Sequence, residues 1–154
     1  MTFRIVCIGK TKQGFIEEGI EEYRKRIESY YPLKLETLPD VKLTDTINPE
    51  LVKEKEGELL EKKMQSGGFN IVLDERGKQF SSLAFSGLIN DRLGKGEIIF
   101  IIGGVYGLSE KIRNKADLLL GLSDFTFTHQ MIRMILLEQI YRAVTIIKKK
   151  KYHY

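Results

Sequence analysis

His129 and Arg133 stand four residues apart at the head of the last long apolar run, and Glu138 and Arg142 repeat that spacing further along. On a helix such pairs share a face, so His129 and Arg133 would stand together where the helix begins. That start also carries free backbone N–H groups and the positive end of the dipole, which suit a ligand or an anion. A plainer reading of the same spacing makes His129 a helix cap and Glu138–Arg142 a surface ion pair. Just upstream, the run Ile98–Ile102 breaks into Gly103-Gly104-Val105-Tyr106-Gly107. A second run, Leu118–Leu122, breaks into Ser123-Asp124-Phe125-Thr126-Phe127. Two strand-to-loop breaks place two backbone-rich loops at one end of a sheet, where open α/β proteins bind ligands.

The inventory excludes several chemistries. Gly103-Gly104 lets the backbone approach a ligand closely, yet its spacing is neither the dinucleotide fingerprint nor a phosphate-binding P-loop. Two histidines (His129 and His153) and the single Cys7 cannot close a zinc site, so no metal is expected. No G-x-S-x-G nucleophile elbow accompanies the serines.

The elements that must position these residues follow from periodicity. Phe3–Ile8 reads as a strand, with Cys7 a core thiol. Phe15, Ile16, Ile20, Tyr23, Ile27 and Tyr30 mark an amphipathic helix that Pro32 ends. Leu33–Leu38 is a half-exposed strand and Val41 to Asn48 a loop. Pro49 opens a second helix reaching about Gln65, with Leu51, Leu59, Leu60 and Met64 on its core side. Phe69–Asp74 is the third strand, and a helix capped by Ser81 or Ser82 runs through Leu93. Ile98–Ile102 and Leu118–Leu122 are strands four and five, both read as central because they are continuously apolar. Ser109–Lys115 forms a short helix between them. The last helix spans roughly Gln130–Ile147. Strands alternating with helices give an α/β fold, a mainly parallel sheet with helices on both faces, in a single domain over residues 1–154.

A formal charge of +4 on 154 residues leans toward a polyanionic partner, and Lys148 to Lys151 with Arg133 and Arg142 concentrate that charge. A solvated, solubilising tail is the bland alternative. No apolar stretch reaches the length of a membrane span or a signal-peptide core, so a cytoplasmic protein is expected. The last helix is apolar nearly all round and needs cover on more than one side; a partner subunit is one source and the chain's own core another.

Taken together, Thr-His-Gln-Met-Ile-Arg, Leu-Glu-Gln-Ile-Tyr-Arg, Lys55-Glu56-Gly57, Leu73–Gly77 and the terminal Tyr152-His153 resemble the RlmH family over the whole chain. These are small SPOUT-superfamily methyltransferases of the bacterial large ribosomal subunit. The resemblance implies a C-terminal trefoil knot, a homodimer, and S-adenosylmethionine held by Leu73, Gly103, Gly104, Leu122, Ser123, Asp124, Phe125, Thr126 and Phe127. It implies methylation of N3 of a pseudouridine in helix 69 of 23S rRNA, within the assembled 70S ribosome. His129, Arg133, Arg142, Tyr152 and His153 would then line the substrate side, with Arg142 stabilising negative charge, His153 or His129 taking the proton, and Tyr152 stacking on the base. Tyr106 would narrow the pocket or act as a lid. The family's proline before Tyr-His is absent here. A non-catalytic ribosome-binding factor and a transfer-RNA methyltransferase are the competing readings.

Overall fold

A computed structural model describes residues 1–152. Five strands, β1 (Thr2–Ile8), β2 (Leu33–Leu38), β3 (Phe69–Lys78), β4 (Glu97–Ile102) and β5 (Leu118–Leu120), form one sheet in the order β2-β1-β4-β3-β5. Every strand pair is parallel. Helices α1 (Gly14–Glu28), α3 (Ser82–Asn90) and α5 (His129–Ile147) cover one face; α2 (Pro49–Glu61) and α4 (Glu110–Asn114) cover the other. Parallel strands buried on both faces need apolar side chains throughout, and β4 supplies them from Ile98 to Ile102.

The expected elements are all present, with shifted limits. β5 stops at Leu120 and is an edge strand, not a central one; Leu122 lies beyond it in a loop. β3 runs on past Asp74 because both Leu73 and Lys78 pair with Leu120 around a bulge. α2 ends at Glu61, α3 at Asn90, and α5 begins one residue earlier than the periodicity suggests. Phe15 is exposed rather than on the core face of α1, and α2 buries Val52, Glu56, Gly57 and Leu60, leaving Leu51 at the margin.

Three helix starts, those of α2, α3 and α5, carry a side-chain cap. Asn48 accepts from the Leu51 N–H before Pro49, Ser81 from Ala84, and Thr128 from Met131, satisfying orphan amides. The α5 cap is therefore Thr128, and His129 is left free for other work. α5 lies between α1 and α3, and none of its residues is fully exposed. Gly19 makes the α1 contact possible, since a Cβ there would sit 2.3 Å from Met134 Sδ. Among the described residues no helix is long and apolar enough to cross a membrane.

The carboxyl ends of β3, β4 and β5 meet at one point. Gly121 N–H donates to Lys78 O at 3.0 Å, and a Cβ on Gly77 would lie 2.5 Å from Gly121 N. Two backbones cross here with no room for a side chain on either.

Candidate functional site

A cleft of about 530 Å³ opens over those strand ends. Its floor is apolar: Leu73, Ile102, Leu108, Leu120, Leu122 and Ile132. Its walls are two loops. The first, Gly103–Gly107, is closed by Gly107 N–H donating to Gly104 O at 3.1 Å, with Gly107 at φ +82°, a conformation glycine adopts without strain. It is a tight turn and a cleft wall at once. The second, residues 121–128, belongs to no helix or strand, so no regular ladder consumes its backbone polar groups. Within it Phe125 N–H donates to Ser123 Oγ, and Asp124 Oδ1 accepts from Gln79 Nε2.

Glycine is required at both 103 and 104. A Cβ at 103 would meet Leu108 Cγ at 2.9 Å, and one at 104 would meet Glu56 Oε2 at 2.6 Å. Of the residues expected to hold a cofactor, Leu73, Gly103, Gly104, Leu122, Ser123, Phe125, Thr126 and Phe127 all line the cleft. Asp124 is exposed beside it, with its carboxylate turned to Gln79. Phe125, at 81% exposed, and Tyr106, at 41%, leave apolar surface on the rim.

The polar residues divide. His129, at the first turn of α5, lines the cleft. Burial, the Arg133 and Lys12 charges, in that order, hold its pKa below the ordinary histidine value, so it is neutral at pH 7. Arg133 does not line the cleft. It is 3% exposed, and its guanidinium donates to Ile8 O at 2.6 Å, Gly9 O at 2.8 Å and Thr11 Oγ1 at 3.1 Å. It ties α5 to the end of β1, a positioning role that corrects its expected place on the substrate side.

Arg142 and Tyr152 are brought together, but away from the cleft. Arg142 pairs with Glu138 at 2.6 Å, its guanidinium stacks 4.8 Å from the Tyr152 ring centroid, and Tyr152 O–H lies 3.2 Å from Glu138 Oε1. The Tyr152 ring also packs edge-on against Tyr141 at 4.7 Å. His153 lies outside the described residues. His129 and Arg142 are thirteen positions apart on α5, about 20 Å along the axis.

Two further acids, Asp74 and Glu56, lie in segments of the family resemblance but receive no role from sequence. Asp74, at the cleft mouth, accepts from Arg113 Nε at 2.5 Å; hydrogen bonds from Arg113 and Arg76 outweigh its burial and hold its pKa below the ordinary value. Glu56 is 3% exposed behind Gly104, with Oε1 accepting the Val41 N–H at 3.1 Å and Oε2 without a hydrogen-bond partner among the described residues. Burial pushes its pKa up. No cluster of three or more metal-ligating side chains occurs among the described residues.

The comparisons agree with this architecture. A solved probable methylase family protein from Haemophilus influenzae Rd KW20 superposes with TM-score 0.59 at 14% identity, over 99% of this chain and 70% of that one. The tRNA (m1G37) methyltransferase of Aquifex aeolicus gives 0.53 at 14% identity, over 92% and 70%. At that identity the likeness is one of fold. Closer relatives in sequence carry the name ribosomal RNA large subunit methyltransferase H: 44% identical in Christiangramia forsetii, over 100% of this chain and 99% of the relative, and 43% in Trichlorobacter lovleyi, over the whole of both. Residues 1–153 match the family described as "Predicted SPOUT methyltransferase". The chain belongs to the SPOUT methyltransferase family, alongside its ribosomal RNA large subunit methyltransferase H relatives.

Proposed function

We propose that the protein transfers a methyl group from S-adenosylmethionine to the large-subunit ribosomal RNA, at N3 of a pseudouridine in helix 69 of 23S rRNA in the assembled 70S ribosome. The observation that carries the reading is the cleft itself, an apolar floor walled by backbone at Gly103–Gly107 and residues 122–127. Such a donor set suits adenine and ribose, which are gripped by main-chain N–H and C=O groups over an apolar seat. The two glycines fit such a backbone wall because a Cβ at 103 would strike Leu108 and one at 104 would strike Glu56, so neither position admits a side chain. Bound there, the cofactor supplies an electrophilic methyl group.

This chain's own residues do the remaining work. An N–H acceptor must lose its proton, and the developing anion needs a cation beside it. Neutral His129 lines the cleft and can take that proton; His153 is the second candidate. Arg142 is the cation, with Tyr152 to stack on the base. About 20 Å of helix keeps Arg142 from its own chain's cleft, so in this reading the working unit is a homodimer in which a second copy brings Arg142 and the tail. In this reading the C-terminal segment is threaded as a trefoil knot, a topology compatible with the close approach of Gly77 and Gly121.

The test is transfer of labelled methyl to unmethylated 70S ribosomes, free large subunits and bulk transfer RNA. Label in ribosomes alone is expected. Label in transfer RNA would favour the superfamily's other substrates, and ribosome binding without transfer would make the protein a non-catalytic factor. A variant Arg142→Ala is expected to bind the donor normally and methylate at least ~100-fold more slowly, the scale of removing one charge-stabilising group.

A further inference from the structure

The cleft over the strand ends carries one charge that no described residue offsets. Three of its lining side chains are ionised at pH 7, Asp74, Glu75 and Arg113, while His129 is neutral. Asp74 and Arg113 cancel. Arg113 Nε donates to Asp74 Oδ2 at 2.5 Å and its Nη1 to Glu110 Oε1 at 3.0 Å. Arg76 closes the ring, donating to Glu110 Oε1 at 3.1 Å and to Asp74 Oδ1 at 3.4 Å. Paired acids and bases leave that ring neutral. Glu75 stands outside it, exposed on the cleft wall, with no hydrogen bond or ion pair to any described residue.

The position of Glu75 is fixed from both sides. Leu73 and Lys78 both pair with Leu120, so residues 74–77 are pushed out of the ladder as a bulge. The Arg76 N–H donates to Asp74 Oδ1 at 2.9 Å, closing a turn across Glu75. Asp74, its side chain only 4% exposed, anchors that turn. On the other side Gly77 is locked against Gly121. The backbone at 75 is held, and the carboxylate is left to whatever fills the cleft.

We infer that Glu75 is the residue by which the cleft tells the methyl donor from its spent product, the carboxylate favouring the donor's sulfonium cation. The assignment rests on the methyltransferase reading above. Transfer breaks the methyl C–S bond, with its electron pair staying on sulfur, as the N–C bond forms on the deprotonated base. The donor thereby passes from a net cation to a neutral zwitterion, while adenine, ribose and the amino-acid end are unchanged. An apolar floor and main-chain groups grip those shared parts alike and cannot discriminate. A fixed negative charge can. Salt screens such a charge over about 8 Å at physiological strength, a distance on the scale of the cleft, so Glu75 acts on the sulfur without touching it. Weaker hold on the neutral product also speeds its exchange for fresh donor.

Calorimetry with S-adenosylmethionine, S-adenosylhomocysteine and 5′-methylthioadenosine, on the parent, Glu75→Gln and Glu75→Lys, tests it. The third compound keeps adenine and ribose but carries neither the sulfonium nor the amino-acid end. Glu75→Gln is expected to weaken the donor ~5-fold, the scale of one charge pair in water, and Glu75→Lys to weaken it further. The other two compounds should stay within about twofold in Glu75→Gln, and the donor's loss should shrink in 1 M salt. Melting temperatures should match the parent, since the side chain is exposed and unpartnered. Equal weakening of all three compounds would make Glu75 a ribose ligand and overturn the proposal. Equal weakening of donor and product, with methylthioadenosine spared, would assign it to the amino-acid end and overturn it too. A parent that binds the donor and a Glu75→Gln that matches it would overturn this inference alone. A parent that binds none of the three would take the donor reading down with it.

Discussion

Gly77 and Gly121 touch backbone to backbone: a Cβ on Gly77 would lie 2.5 Å from Gly121 N, and one on Gly121 would lie 2.7 Å from Gly77 O. Neither has a positive φ, so space and not conformation demands glycine at both. The crossing fixes β5 to the end of β3 and so sets the height of the cleft floor. Gly77→Ala and Gly121→Ala are each expected to cost about 3 kcal/mol or more, the upper range for forced overpacking, since backbone cannot swing aside as a side chain can. Urea unfolding of the two variants checks this; a loss under 0.5 kcal/mol would mean that the strands part easily.

Arg133 is a buried cation held by neutral acceptors. Burial pulls its pKa below the ordinary arginine value, yet it stays protonated at any working pH. Arg133→Lys keeps the charge but cannot reach Ile8 O, Gly9 O and Thr11 Oγ1 together. An expected loss of about 2 kcal/mol follows, with amide shifts concentrated at residues 8–12. Shifts confined to α5 would place the tie elsewhere.

Glu56 gives a pH dependence with a definite sign. Its folded pKa lies above the ordinary 4.5, so the folded state binds more protons than the unfolded one between 4.5 and that higher value. Stability from this group is present below pH 4.5 and is lost as pH rises through the folded pKa. Glu56→Gln removes the loss. The melting temperature of the variant relative to the parent should therefore climb from pH 4.5 to pH 7. A flat difference would show that the carboxyl is not desolvated.

His129 carries the opposite sign. Its folded pKa lies below 6.5, so the unfolded chain takes up the proton first as pH falls below that value. The parent should lose stability below about pH 6.5 relative to His129→Asn, in melts that follow both proteins across that range.

Phe125 is the most exposed of the large apolar side chains at the cleft. Its removal should leave folding within about 0.5 kcal/mol of the parent, as for a surface substitution. Donor affinity in Phe125→Ala is expected to fall severalfold by calorimetry. Equal affinity would make this ring a surface for RNA or for a second copy.

Much of this was readable in residues. β4 and α5 are apolar runs whose lengths decide between strand and helix, and their loops carry the cleft. Arg133 falls in register with Leu136, Leu137, Ile140 and Val144, the buried stripe of α5, so its burial could have been read from spacing. β5 could not be placed, because Leu122 looks like strand but serves as cleft floor, and an edge partly shielded by loops can be as apolar as a centre. Glu56 was hidden in a charged helix, Lys53 to Glu58. Its sequence signal is the segment Lys55-Glu56-Gly57 in the family resemblance, which assigns it no role; the structure shows that Gly57 packs so closely that a Cβ would meet Ser109 Oγ at 2.7 Å. Close packing of α2 on the α4 start drives that face, glutamate included, into the interior.

The 19-residue span of α5 turns into a statement about reaction order. A rigid rod holds its His129 end and its Arg142 end apart, so no single chain can present both to one reacting atom. On progressive dilution, turnover per molecule should decay toward zero while the fraction of folded protein stays constant. Mixing two inactive variants, one crippled at each end of the rod, should restore part of the lost rate.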